Sequence, residues 1–259
     1  MRHSVLIKLL FPIMLAAQLA GCSKGLDKPL VTDKGDVAFI ASCDAAAKDM
    51  DERAMQAFKW AVSDLTLEAL NARYPNQPMR KVIRGEVKAM QEAAAVRIPE
   101  LEAAQKTWNA GAEQINKVIA EDVSFALESD FHGLQPRIRA TVRNGSPHSY
   151  SALKWRAALY VDDGAEPVAI ADLFDTYKSD GGLPAGEARQ REFTVGFVSG
   201  DAAWTTLQIQ QAKKRVVRLV VLPEKATDYA EKPLIGESPE QALQRVKAAL
   251  KTAQSYADI

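Results

Sequence analysis

The sequence is poor in the residues that most often carry chemistry. In 259 residues it holds two cysteines, Cys22 and Cys43, and three histidines, His3, His132 and His148. If Cys22 is assigned to another role, Cys43 has no partner, which excludes an intrachain disulfide framework. His132 and His148 have no second histidine, cysteine or carboxylate at zinc-ligand spacing and read as exposed loop residues. Neither sign of charge is in excess: 33 basic residues meet 33 acidic ones, so no global field draws the chain to nucleic acid. There is no Gly-x-Ser-x-Gly elbow, phosphate loop or dinucleotide fingerprint, and Gly181-Gly182 reads as a turn. No catalytic residue, metal or cofactor is expected.

Against these absences the N-terminus stands out. Arg2, His3 and Lys8 precede the apolar run Leu9 to Ala17, which is too short to span a bilayer comfortably. Leu19-Ala20-Gly21-Cys22 follows and resembles the bacterial lipobox, in which small residues admit the signal protease and the cysteine thiol is alkylated by lipid. A plain secretory signal with a chance cysteine is the alternative. The lipobox reading makes residues 1–21 a signal peptide and Cys22 the lipidation site. Two or more acyl chains, each buried methylene worth about 0.8 kcal/mol, would give a stable anchor in membrane lipid. Ser23, where an Asp would favour inner-membrane retention, leans the periplasm-facing protein towards the outer membrane. Residues 22–34, with Gly25, Pro29 and no periodicity, read as a flexible tether.

Residues 35–120 read as helical. A first helix is expected at about Gly35–Lys48, capped by Asp33 or Asp36, with Phe39, Cys43, Ala46 and Met50 on one face. That placement makes Cys43 a small buried residue, not a reactive thiol. Asp51 caps a second helix bearing Phe58, Val62, Leu65 and Ala69. Arg73 to Gln77 breaks it, and Pro78 suits the first position of the next helix. The longest stripe runs from Ile83 through Val87, Ala94, Leu101 and Ile115 to Ile119 without a phase change at Pro99, so one kinked helix or two end to end are open. Met90 and Trp108 sit on this stripe at core spacing, although a ligand-binding face would look alike.

From residue 121 to 232 the period shortens to two. Val123-Phe125-Leu127, Arg137–Val142, Leu153–Val161, Pro167–Leu173, Phe193-Val195-Phe197, Thr206–Ile209 and Arg215–Leu222 read as about seven strands, with Asp162-Asp163-Gly164 a hairpin turn. Ser238-Pro239-Glu240-Gln241 then opens a C-terminal helix within 233–259. The expected class is α+β: a helical hairpin or long kinked helix, a β-sandwich and a terminal helix.

Val142-Arg143-Asn144-Gly145-Ser146, Leu159-Tyr160-Val161-Asp162 and Leu183-Pro184-Ala185-Gly186-Glu187 resemble the immunoglobulin-like sandwiches of exported bacterial proteins, of which FxLYD-type domains are an example. The order of lipobox, helical region and sandwich resembles a family of uncharacterised Gram-negative bacterial lipoproteins. These are turn and core motifs, and the resemblance brings no catalytic residues with it. It implies a membrane-anchored binding or scaffolding component of the cell envelope, held by acyl lipid and open to another envelope protein. The alternative is an envelope enzyme whose Asp/Glu pair is assembled by folding. A lipid or small-ligand carrier would need a large apolar cavity. Two weaker features remain. Asp172, Asp175 and Asp180 with Tyr177 could hold calcium but match no EF-hand spacing and read as a solvated loop. Lys213-Lys214-Arg215 reads as a charged guard on a strand edge, or as a phospholipid or peptidoglycan contact.

Overall fold

The computed structural model describes residues 25–131, 133–196 and 201–259. Among the described residues it is an α+β fold with six α-helices and two three-stranded antiparallel sheets. The chain divides into two compact units, one of residues up to Ala95 with Ala248–Ile259, the other Val96–Lys247.

The first unit is helical: α1 (Asp36–Ala47), α2 (Glu52–Val62), α3 (Leu67–Arg73) and the first part of α4 (Met79–Ile115). Its core gathers Leu30, Phe58, Leu70, Met79, Ile83 and Ile259. Asp51 caps α2 as its position suggests, accepting the Ala54 N–H at 2.7 Å. The stripe expected to continue through Leu65 and Ala69 is cut instead: α2 stops at Val62, and Thr66 caps α3 through the Ala69 N–H at 3.2 Å. A hydroxyl that can satisfy an orphan helix donor ends one helix and starts the next. At α1 the capping position is Gly35, without a side-chain bond; Asp36 lies inside the first turn, and Asp33 accepts from Asn76. Pro78 stands one residue before α4, its carbonyl accepting the Val82 N–H.

The described part of the expected tether is not loose. Leu30 is buried and its N–H donates to the Gln77 carbonyl. Buried Thr32 donates to Asn71 at 2.7 Å and receives the Asn76 N–H at 2.9 Å. Asp27 pairs with Arg80 at 2.7 Å. Composition suggested a linker because Gly25 and Pro29 interrupt any period; half-buried Leu26, buried Leu30 and the hydrogen-bonded Thr32 nevertheless pack against the helices.

The helix α4 is one element of 37 residues that includes Pro99. Its stripe ends at buried Ile115. Ile119, expected to extend it, lies in β1 (Val118–Asp130) and is 45% exposed. The strands β2 (Gly133–Asn144), β3 (Ala152–Val161), β4 (Ala169–Thr176), β5 (Ala188–Thr194) and β6 (Arg215–Val221) follow. One sheet has the order β1-β2-β5 and the other β4-β3-β6. Inward residues of both sheets, among them Ile138, Val142, Trp155, Leu159, Phe193 and Val217, form one core. Strand β1 carries a register shift between Glu121 and Ser124, with Asp122 at φ 52°.

The segment expected as a strand at Thr206–Ile209 is helical. Thr206 caps α5 (Leu207–Gln211) and Ile209 is buried in the core, so a short helix satisfies both the hydroxyl and the apolar residue. The strand expected around Phe193 starts earlier, at Ala188, and Phe197 lies outside the described residues. The last helix, α6 (Glu240–Gln254), has the Glu240 N–H donated to Ser238 Oγ at 3.3 Å.

Candidate functional site

Two of the segments that carry the sandwich resemblance meet around Asn144. Its backbone N–H donates to the Glu187 carbonyl at 2.8 Å and its carbonyl accepts from Gly186 at 2.8 Å. Its Nδ2 donates to the carbonyls of His148 at 2.7 Å and Leu183 at 3.0 Å. Oδ1 accepts the Ser146 N–H at 3.0 Å and hydroxyl at 2.7 Å, and Ser146 Oγ shares a hydrogen bond with the Tyr150 hydroxyl at 2.7 Å. Gly145 passes so close to the Lys117 carbonyl that a Cβ would sit 2.8 Å from its oxygen. Asn144, Ser146 and Tyr150 are all buried, and Asn144 spends its whole hydrogen-bonding capacity inside the fold. The motif is a joint that ties the end of β2 to the loop before β5.

A second polar cluster links the two sheets. Asp175, on β4, has a side chain that is 0% exposed and pairs with Arg191 on β5 at 2.6 Å. Arg191 Nε donates to the same carboxylate at 2.7 Å, Nη1 reaches Asp180 at 3.2 Å, and Nη2 donates to the Thr176 carbonyl at 2.9 Å. The Tyr177 hydroxyl donates to Asp175, and the guanidinium lies 4.8 Å from the Tyr177 ring centre. Burial pushes the Asp175 carboxyl above its ordinary value, opposed by Tyr177 and Arg191. Burial and the neighbouring carboxylate likewise raise the Tyr177 hydroxyl. Asp175, Asp180 and Tyr177 thus converge, but on a guanidinium: Arg191 occupies the place a cation would take. Asp172 faces away, held by Arg156 at 3.0 Å and Lys154 at 3.1 Å. Among the described residues there is no cluster of three metal-ligating side chains. Sequence reading missed Arg191, whose only signal was its place in the alternation of β5.

Between β4 and β5 lies a groove of about 530 Å³, lined by Ile170, Leu173, Phe193 and Val195 and by three carboxylates, Asp172, Glu192 and Asp201. These are the residues an assembled acid–base pair would use. Each is already committed. Arg156 and Lys154 hold Asp172 below the usual carboxylate range. Arg139 and then Arg137 do the same for Glu192. Asp201 accepts the Ala203 N–H at 2.8 Å. A general acid at neutral pH needs a raised carboxyl pKa, the opposite of what the arginines impose.

Of the other residues singled out from sequence, Cys22 and His132 lie outside the described residues. His148 is exposed, with its backbone engaged by Asn144 and Ser146. Cys43 is half-buried, and burial followed by the Asp44 charge pushes its thiol up to about 11, which keeps it protonated and unreactive. Lys213 and Lys214 donate backbone N–H groups to Asp162, Lys214 also pairs with Asp163 at 2.5 Å, and Arg215 donates to the Gln210 and Ala212 carbonyls. The basic run thus braces the Asp162-Asp163 turn and the end of α5. Trp108 is half-buried with its indole N–H donated to the Gly236 carbonyl at 2.8 Å, and Met90 is half-buried at a cleft with Trp60 and Leu65.

Comparison of the chain with protein-family models, curated proteins and solved structures returns no match.

Proposed function

We propose that this chain is an exported lipoprotein, anchored by acyl groups on Cys22, whose immunoglobulin-like sandwich binds or scaffolds another component of the cell envelope. The observation that carries the anchor is Leu19-Ala20-Gly21-Cys22 at the end of a basic and apolar leader. The outer membrane is the favoured address because Ser23, not Asp, follows the cysteine. The immunoglobulin-like reading draws support from strand order. β1-β2-β5 facing β4-β3-β6 is the order of strands A-B-E and C′-C-F in such sandwiches, and the Asn144 joint uses the very segments that carry the resemblance.

The binding role is favoured over an acid–base enzyme by the state of the carboxylates. Those at the groove are paired with arginines and lysine or spent on a cap, and Asp175 is sealed from solvent. The outer face of β4-β3-β6 carries exposed apolar residues, Ile170 and Phe174 on β4 and Val216 and Val220 on β6, interleaved with Asp172, Lys154 and Arg156. We read this mixed face as the binding surface.

The anchor is tested by radiolabelled palmitate incorporation in the native host. Labelling should vanish in Cys22→Ala, and persistent labelling would refute it. The binding role is tested by crosslinking in intact cells, comparing the natural chain with Phe174→Ser. A reproducible adduct lost in the variant supports it, and identical adduct patterns count against this face.

A further inference from the structure

We propose that α1 lies on the membrane surface, its exposed apolar face set into the headgroup region of the bilayer that holds the acyl chains of Cys22. The inference rests on the reading of Cys22 as the anchor and adds to it a second, non-covalent membrane contact. α1 is apolar around its whole circumference: of its twelve residues only Asp36, Ser42 and Asp44 are polar. A helix of that kind needs cover on every side. One side has it, with Ala46 buried and Phe39 and Cys43 packed against the helical core. The other side does not. Val37 is 84% and Ile40 56% exposed, and exposed Ala41 and Ala45 continue the face of Val37 at a four-residue spacing.

The length of the leash says what covers that face. Residues 25–31 run back along α1 from its C-terminal end. A Cβ on Gly25 would sit 2.6 Å from the Asp49 carbonyl oxygen. Lys28 Nζ donates to the Ala45 carbonyl and the Asp49 carboxylate, each at 2.8 Å, and the Val31 N–H donates to Ser42 Oγ at 3.0 Å. The stretch whose composition suggests a spacer is therefore taken up by packing. With residues 1–21 removed as the leader, only Ser23 and Lys24 separate the acylated cysteine from Gly25. Three residue steps reach at most about 11 Å. The Asp49 end of α1 is thus tied beside the lipid anchor, and the helix itself is only about 18 Å long. Held so closely, its exposed face meets the bilayer at high effective concentration. A small apolar patch then suffices that would bind no membrane unaided. Charge does not oppose the contact. Lys28 pairs with Asp49 and Asp27 with Arg80. The other charges of residues 24–49 are Lys24, Lys34 and Lys48 against Asp33, Asp36 and Asp44, so they bring no net charge to the headgroups.

Depth-dependent quenching tests the contact. The full lipidated chain with Cys43→Ser is reconstituted into phosphatidylethanolamine–phosphatidylglycerol vesicles with brominated acyl chains. It carries a thiol-linked fluorophore at Val37→Cys or, for comparison, at Glu92→Cys. Glu92 is an exposed residue of α4 in the same helical unit, about 18 Å along that helix from Arg80. The label at 37 should be quenched several-fold more by the brominated chains and be shielded from aqueous iodide. Adding Ile40→Asp should bring quenching at 37 down to that at 92, with palmitate incorporation and the thermal melt unchanged. Equal quenching at 37 and 92, or quenching at 37 indifferent to Ile40→Asp, would overturn the proposal. So would a label at 37 shielded from both brominated lipid and iodide, because a protein would then cover α1. If Ile40→Asp fails to fold, the comparison of 37 with 92 decides. A chain that takes up no palmitate removes the anchor reading and this inference together. A palmitoylated chain whose label at 37 is unquenched overturns the docking of α1 alone.

Discussion

The two sheets of the β unit share a core but turn different faces outwards. On β1-β2-β5 the outer face is a ladder of opposite charges. Arg137 and Arg139 each reach both Glu128 and Glu192, and Arg143 pairs with Glu121 at 3.0 Å. Every one of those arginines has a carboxylate on a neighbouring strand. On β4-β3-β6 the outer face mixes Asp172 and its two cations with Ile170, Phe174, Val216 and Val220, and Arg218 lies over the Tyr160 ring at 4.6 Å. Exposed cross-strand ion pairs contribute little to stability, but they keep a face polar and self-sufficient. Of the side chains on this face, the aromatic Phe174 and Tyr160 and the arginines are of the types protein interfaces are enriched in. The contrast teaches that alternation in a strand specifies which residues face in and leaves open what the outer set is for.

The sharpest way to break the two-sheet arrangement is at the ion pair that joins the sheets. Arg191→Ala leaves Asp175 buried without its cation and should cost about 3–5 kcal/mol, read as a lower denaturant midpoint at unchanged slope. The double variant Asp175→Leu with Arg191→Leu should lose much less, because it removes the stranded charge. Equal losses would show that the pair is not what joins the sheets. Next comes Asn144→Ala, which strips partners from buried groups around the motif joint and should cost about 2–3 kcal/mol by the same measurement.

A pH titration separates the buried carboxylate from the exposed ones. Asp172 and Glu192 are held below their ordinary values by arginines, so their contribution is present above those values and lost as pH falls through their folded pKa. Asp175 is shifted the other way by burial: its contribution is fully present below the ordinary value and is lost as pH rises through its folded pKa. Removing it with Asp175→Asn should therefore steepen the fall in melting temperature between roughly pH 5 and pH 3. Parallel curves would contradict the assigned direction. The smallest effect is expected on the polar face. Arg143→Ala should cost less than about 1 kcal/mol, and the difference should shrink further in high salt. A larger loss would mean that the ladder is a structural element and not a solvated surface.

Much of this architecture is legible in short-range pattern. The alternation of β3 placed Leu153, Trp155, Ala157 and Leu159 in the core, where they are buried. Asp51 signalled the start of α2, and the Asp162-Asp163-Gly164 turn appears with both aspartates at positive φ. The candidate site was less legible. The Asp172, Asp175, Asp180 and Tyr177 grouping was visible as a run of side chains, but the strand alternation that sends Asp172 outwards and Asp175 inwards separates it. Arg191, which organises the inner members, comes from another sheet.

By itself the sequence determined the class of each long element and the alternation that builds two sheets. These depend on residues within a turn or two of each other. Only the tertiary structure decided that residues 25–34 pack on the helices, that Thr206 opens a helix in place of a strand, and that Arg191 meets Asp175. Each outcome turns on burial or on a partner from a distant element, as with Leu30 at Gln77, Ile209 in the core and a β5 guanidinium at a β4 carboxylate. The free energy of such contacts exceeds local propensity, and no local period records it.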